Sequence, residues 1–155
     1  MRKKKVVVAS GVFDIVHIGH IKYLKKAKQI AGKNGVLLVV LARDKLVEKI
    51  KGKKPLVNEK ERKVIIESLK FVDKAILGPS KTDVSEGIRS VIQKYKPSAI
   101  VLGYDQEWLK ETTQKIISSE TAWKSIKVIK LRKYGSRNSK SSIIKRSYIH
   151  NYLQD

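Results

Sequence analysis

Short apolar runs that alternate with helix-length amphipathic stretches constrain this chain more than any other feature. Residues 5–9, 36–42, 72–77, 99–102 and 126–131 are strand-sized and rich in Val, Ile and Leu. Residues 36–42 are apolar at every position, which a strand tolerates when both of its faces are covered, as in a parallel sheet. Between the runs the spacing changes to that of helices. Ile21, Leu24, Ala27 and Ala31 recur on one face and stop at Gly32 and Gly35; residues 45–50 make one or two further turns. Asn58 followed by Glu61, and Asp83 followed by Glu86, read as helix N-terminal caps. Val64, Ile65 and Leu69 are expected to form the buried face of the first of these helices. Val84, Ile88, Val91, Ile92 and Tyr95 form that of the second, which ends before Pro97. Residues 108–118 are helical in pattern, and Ile143, Ile144, Ser147 and Tyr148 suggest a closing helix.

Strand–helix alternation from end to end implies right-handed βαβ crossovers. The expected fold is α/β and Rossmann-like: one domain, residues 1–155, with about five parallel strands flanked by helices on both faces. In such sheets ligands bind beyond the carboxyl ends of the strands. The segments to search are therefore residues 11–20, Arg43-Asp44, residues 103–105 and the chain from Leu131 onward.

A chain of 155 residues buries enough surface to fold without staples, and it has no cysteine to make any. That excludes a disulfide scaffold, a Cys-based zinc site, an iron–sulfur protein and a thiol nucleophile. No apolar run approaches the ~20 residues of a membrane span, and the basic N-terminus lacks the long apolar stretch of a signal peptide. A soluble, cytoplasmic protein is expected. The net charge of +21 draws polyanions. Nucleic acid, anionic small substrates, and lysine used simply as a solubilising residue are the three readings. The lysines are scattered rather than gathered into an arm, and aromatics are only 6%, which weakens a base-stacking platform.

Gly11-Val12-Phe13-Asp14-Ile15-Val16-His17-Ile18-Gly19-His20 is the most informative segment. Two of the three histidines lie here, the first in the loop after strand one and the second opening a helix. A helix N-terminus offers unpaired N–H groups and partial positive charge to an anion. The imidazoles add donors aimed at the same place, and Gly11 and Gly19 allow a turn and a close backbone approach. The segment looks built for a polyphosphate. A metal site of Asp14, His17 and His20 is the alternative, although no further His or Cys is at hand. His150, near the C-terminus, reads as surface.

Gly11-Val12-Phe13-Asp14 with His17-Ile18-Gly19-His20 resembles the G-T/S-F-D…H-x-G-H signature of the cytidylyltransferase-like nucleotidyltransferases. These are Rossmann-like enzymes that couple a nucleoside triphosphate to a phosphorylated acceptor and release pyrophosphate. Class I aminoacyl-tRNA synthetases share the H-I-G-H element, but they need several hundred residues. The basic loop 51–55, Glu61-Arg62, Val72-Asp73 and Gly103-Tyr104-Asp105-Gln106 are similar to further blocks of the family. Ala42-Arg43-Asp44, the Gly103–Gln106 stretch and Ser141-Ser142-Ile143-Ile144 most resemble its archaeal-type FAD synthase branch, which adenylylates FMN. The similarity spans roughly residues 5 to 148. Val12 departs from the usual Thr or Ser, which removes a hydroxyl contact and keeps the backbone N–H. The R-T-x-G-I-S-T-T block of glycerol-3-phosphate cytidylyltransferases is absent.

The resemblance implies ATP (or CTP) and a phosphorylated acceptor, FMN, as partners, a divalent cation such as Mg²⁺ as cofactor, and a homodimer as a common assembly. Glycerol 3-phosphate or a sugar phosphate is the alternative acceptor, and a basic nucleic-acid-binding module the alternative class. Catalysis is expected of His17, His20, Asp14 and Lys53. Nucleotide binding is expected of Val12, Phe13, His17, Ile18, Gly19, His20, Asp105, Tyr134 and Ser142. Asp14 is either a Mg²⁺ contact or an anchor for its loop, the anchor preferred. Asp105 holds a ribose, caps a helix, or does both. Lys51, Lys53 and Lys54 are a lid over the phosphates or a solvated loop. Arg62 reaches the site or is a surface charge, and Trp108 and Trp123 are read as packing residues.

Overall fold

The computed structural model describes residues 3–80, 83–137 and 140–152, with side chains described through residue 146. The placements expected of Ser147, Tyr148 and His150 side chains lie outside the described residues. The elements run β1 (Val6–Gly11), α1 (Ile18–Ala31), β2 (Val36–Leu41), α2 (Asp44–Lys51), α3 (Glu59–Glu67), β3 (Lys74–Leu77), α4 (Val84–Tyr95), β4 (Ala99–Leu102), α5 (Glu107–Ser119), β5 (Lys127–Lys130) and α6 (Ser141–Tyr152), with a 3₁₀ turn at Thr121–Trp123. The five strands form one sheet in the order β3-β2-β1-β4-β5, and every pairing is parallel. The α/β, Rossmann-like expectation is met.

Alternation along the strands divides the core into two layers. Val7, Ala9, Leu37, Val39, Leu41 and Val101 face α1 and α3, packing on Leu24, Ala27 and Ile66. Val8, Leu38, Ile100 and Leu102 face α4 and α5, packing on Val91, Ile92, Ile116 and Ile117. Asp73, from the Val-Asp pair at the entry to β3, accepts from the Leu37 N–H and Lys28 Nζ, both at 2.6 Å, and so ties α1 to β2. The caps stand where spacing placed them. Asn58 accepts from the N–H groups of Lys60 and Glu61, and Asp83 from that of Glu86.

Three local expectations are corrected. Strand one continues to Gly11, because Ser10 and Gly11 pair with Val40 and Leu41. Helix α1 starts at Ile18, with His17 as its cap, so the second histidine lies inside its first turn. The expected buried face of α3 is turned outward. Val64 is 61% and Ile65 41% exposed, whereas Arg62 is 0% and Ile66 0% exposed. Leu69 keeps its expected place against the core.

Candidate active site

β1 pairs with β2 as far as Gly11↔Leu41, but with β4 only as far as Ala9↔Val101. The sheet parts at this point, between β1 and β4, where the strand order reverses and a doubly wound sheet opens its crevice. Tyr23, buried on α1, fills the parting. Its hydroxyl accepts from the Ser10 N–H at 3.3 Å and lies 2.8 Å from the Val101 carbonyl, to which it donates; the Ser10 carbonyl is 3.2 Å away. One phenol oxygen thus replaces the next rung of the β1–β4 ladder. Burial pushes its ionisation well above the usual phenol range, so it stays a neutral donor. A cleft of about 520 Å³ opens above it, reaching from α2 and α4 at one end to β4 and α5 at the other.

The loop between β1 and α1 forms the middle of the cleft. Phe13 takes φ 54°, an uncommon conformation for a bulky residue, which folds its ring back over Gly11. A Cβ at Gly11 would lie 2.8 Å from that ring. The ring also meets His20 edge-on, with centroids 5.2 Å apart. His17 and His20 stack at 3.9 Å. His17 Nδ1 accepts from the Gly19 N–H at 3.1 Å, and His20 Nδ1 from the His17 N–H at 3.4 Å. A Cβ at Gly19 would stand 2.8 Å from the Tyr134 carbonyl oxygen and 2.9 Å from His17 Cε1, so only glycine lets the final loop close on the histidines.

These bonds set the protonation of the pair. Burial lowers the His17 pKa. Burial first, then the neighbouring His17 and Lys51 charges, lowers that of His20 to about 4, against the opposing Ile15 carbonyl. Both rings are neutral at pH 7. With Nδ1 accepting, His17 carries its proton on Nε2 and presents a neutral N–H donor, while the N–H of His20 faces the Ile15 carbonyl as well as the cleft. The first turn of α1 carries no acidic residue, whereas those of α2, α3, α4 and α5 do. The positive end of α1 is left for an anion.

Asp14 is 7% exposed. Its carboxylate accepts from the N–H groups of Leu56 at 3.1 Å and Val57 at 2.9 Å, and from Lys145 Nζ. Burial opposes ionisation, but the Lys145 and backbone hydrogen bonds outweigh it and hold the carboxyl below its ordinary range. Asp14 therefore ties the signature loop to the end of the basic loop and to α6. Arg62 works beneath the same residues, neither in the cleft nor on the surface. Its Nε donates to the Val57 carbonyl at 3.0 Å and its Nη1 to that of Val12. Its Nη2 donates to the Ala42 carbonyl at 2.8 Å and to Asp44 at 2.7 Å. Asp44 and Glu59 each accept from the other's backbone N–H, which caps α2 and α3 mutually, and Arg43 joins Glu59 at 3.0 Å.

Of the residues expected at the site, Val12, Phe13, Asp14, His17, Gly19, His20, Lys53, Asp105, Tyr134 and Ser142 line the one cleft. Ile18 does not: its side chain is 49% exposed and turned away. Asp105 is exposed at the carboxyl end of β4, and Gln106 rather than Asp105 occupies the N-cap position of α5. Lys51 and Lys54 line the cleft rim with Lys53. Trp108 is 47% exposed and also faces the cleft, whereas Trp123 packs on the second core layer. Sequence reasoning missed Tyr23, the buried role of Arg62, and Lys145. Lys145 had no local signal, because its partner stands 131 residues earlier.

Among the described residues no group of three His, Cys, Asp or Glu is placed to hold a metal ion. Asp14 already has a lysine and two amides on its oxygens. The donor set fits a hard cation carried chiefly by the phosphate oxygens of a nucleotide and by water, as Mg²⁺ commonly is.

A cytidylyltransferase-like family model matches residues 8–147. The chain is 40% identical to the FAD synthase of Korarchaeum cryptofilum over 144 residues, 90% of this chain and 89% of that one. It is 43% identical to the FAD synthase of Aciduliprofundum boonei over 131 residues, 83% of this chain and 79% of that one. A lipopolysaccharide core biosynthesis protein from Thermoplasma volcanium superposes with a TM-score of 0.66 at 38% identity, covering 84% of this chain and 98% of its own. Pantoate–β-alanine ligase from Francisella tularensis, at 14% identity and a TM-score of 0.64 over 100% of this chain and 73% of its own, shares the fold. The paired imidazoles at a helix start, the parted sheet below them and a family match over nearly the whole length agree, and the chain belongs to the cytidylyltransferase-like family.

Proposed function

We propose that residues 1–155 act as one nucleotidyltransferase domain, an FAD synthase that transfers AMP from ATP to FMN. The observation that carries this reading is the 40–43% identity to FAD synthases over most of both chains. An FMN phosphate oxygen attacks the α-phosphorus of ATP in line. The new P–O–P bond forms as the bond from the α-phosphorus to the α,β-bridging oxygen breaks, and the electron pair leaves with pyrophosphate. A phosphate dianion needs no general base, so the protein's work is alignment and charge neutralisation. His17 and His20 donate from Nε2 to the triphosphate, with His20 at the α-phosphate and leaving oxygen. The N–H groups of Val12 and Phe13 and the start of α1 meet the same charge. Asp105 holds the ribose, and Tyr134, from the loop after β5, and Ser142, from the start of α6, border the nucleotide. Asp14 anchors the loop. Lys53, with Lys51 and Lys54, neutralises the departing pyrophosphate. Mg²⁺, bound through the phosphates, would supply further charge neutralisation.

No helix among the described residues is long and apolar enough to cross a membrane, and a cytoplasmic location fits an ATP-consuming reaction. A homodimer is proposed with it, and the mass in solution tests it. The deciding experiment measures pyrophosphate release with Mg²⁺ from ATP or CTP, each with FMN or glycerol 3-phosphate. Release confined to ATP plus FMN, with a new FAD peak, is expected. Release from CTP plus glycerol 3-phosphate would overturn the acceptor and the base together. Silence in all four mixtures would send the reading to other phospho-acceptors and to salt-dependent nucleic-acid binding. His20→Ala is expected to lose most turnover, by about 10²–10³-fold, as for removal of one oxyanion donor.

A further inference from the structure

Gly87 is the fourth residue of α4. A glycine inside a helix is less favourable than alanine by ~0.5–1 kcal/mol, so the position calls for a reason. Positive φ is not the reason, since Gly87 is not among the residues with that conformation. Crowding is not the reason either. The nearest atom to a Cβ built there is Pro79 Cδ, at 4.0 Å, whereas a Cβ at Gly11, Gly19 or Gly35 would meet an atom at 2.8 Å or less. The packing of the protein leaves room for a side chain, and what fills that room is the cleft, which Gly87 lines.

This end of the cleft has an apolar wall, with Arg43, Lys51 and Asp83 lining the cleft at the ends of the same helices. Leu46, Val47 and Ile50 of α2 line it together with Ile88 of α4. Ile50 is 50% exposed. The lobe lies at the β2–β3 end of the crevice, across the histidines from Asp105 and Trp108 at the β4 end. In-line displacement requires the acceptor oxygen to approach the α-phosphorus opposite the departing pyrophosphate, so the acceptor and the nucleoside need separate room around it. We propose that the lobe between α2 and α4 binds the isoalloxazine ring of FMN, with Gly87 as the clearance for the flat face of the ring. A planar, largely apolar tricycle matches an apolar wall on one side and a bare helix backbone on the other, and it directs the phosphate of FMN toward His17 and His20.

This inference rests on the FAD synthase reading, and the test separates the two. Gly87→Leu, Gly87→Ala and Ile50→Ser are compared with wild type by quenching of FMN fluorescence and by pyrophosphate release. Gly87→Leu is expected to raise KM for FMN about tenfold or more, with KM for ATP within about twofold. Gly87→Ala should have a much smaller effect, and Ile50→Ser should raise KM for FMN several-fold. Leu is a better helix former than Gly, so the melting temperature of Gly87→Leu should not fall; if that variant fails to fold, Ile50→Ser decides. Wild type making FAD while the variants keep KM for FMN, or shift both substrates alike, overturns the flavin lobe and leaves the activity standing. Wild type neither quenching FMN nor making FAD overturns both.

Discussion

Replacing Arg62 with methionine removes a guanidinium that is 0% exposed and donates to three carbonyls and one carboxylate. Methionine fills much of the volume, so the cost is electrostatic. Removing one partner of a buried ion pair commonly costs ~3–5 kcal/mol. The lower end applies, because Asp44 is 27% exposed and keeps the Glu59 N–H as a donor. The carbonyls of Val12, Ala42 and Val57 lose their guanidinium donor at the same time. A loss of ~3 kcal/mol in a domain of this size lowers the melting temperature by roughly 6–12 °C. Arg62→Lys keeps the charge but not the fork that reaches four acceptors, so an intermediate loss of ~1–2 kcal/mol is expected. Urea unfolding with an unchanged m-value would attribute the change to the native state. A cycle with Asp44→Asn should show coupling of ~1 kcal/mol or more. If Arg62→Met melts within about 2 °C of wild type, the guanidinium is not what joins the carboxyl ends of β1 and β2 to the basic loop.

The neutral histidines predict an acid limb in stability. The folded pKa of His20, about 4, lies below its ordinary 6.5, so the unfolded chain binds more protons between those values. Stability is complete above about pH 6.5 and falls as the pH drops toward 4, by up to roughly 3 kcal/mol. Asp14, lowered from 3.8, contributes only below that window. Calorimetry from pH 7 to 4.5 should show the decline and His20→Gln should flatten it; a level wild-type profile would refute the assignment. Tyr23→Phe leaves the Ser10 N–H and Val101 carbonyl without their shared hydroxyl and should cost ~1–3 kcal/mol, read from urea unfolding. Lys53→Ala, at an exposed position, should raise KM for ATP several-fold with the melting temperature unchanged; unaltered kinetics would make the lysine loop plain surface.

The sheet was readable because central parallel strands are buried on both faces, and residues 36–42 and 99–102 announce that as unbroken apolar runs. Caps were readable because Asn58 and Asp83 act on backbone N–H groups only two or three residues away. The buried side of α3 was not. Its stripe is Arg62, Ile66 and Leu69, at helical spacing, but an arginine in a lysine-rich stretch reads as solvent-facing, and Val64-Ile65 is the more hydrophobic pair. What turned the helix was the set of carbonyls at the strand ends, which no local pattern records. The signature loop gave most of the expected residues that line the cleft, since their placement depends on near neighbours. Lys145 and Tyr23 act on groups that only the folded sheet brings to them. Ile18 was carried along by the motif, although its side chain leaves the cleft.

Ser141 Oγ donates to the Ile15 carbonyl at 2.8 Å, and Lys145 holds Asp14. These two contacts join α6 to a loop more than 120 residues earlier. During synthesis, at about 5–20 residues per second, the end of β5 precedes Lys145 by roughly 1–3 s. A chain that lacks α6 has all five strands but leaves Asp14 without its lysine. A loop anchored from so far along the chain is therefore completed only after every strand of the sheet has been made.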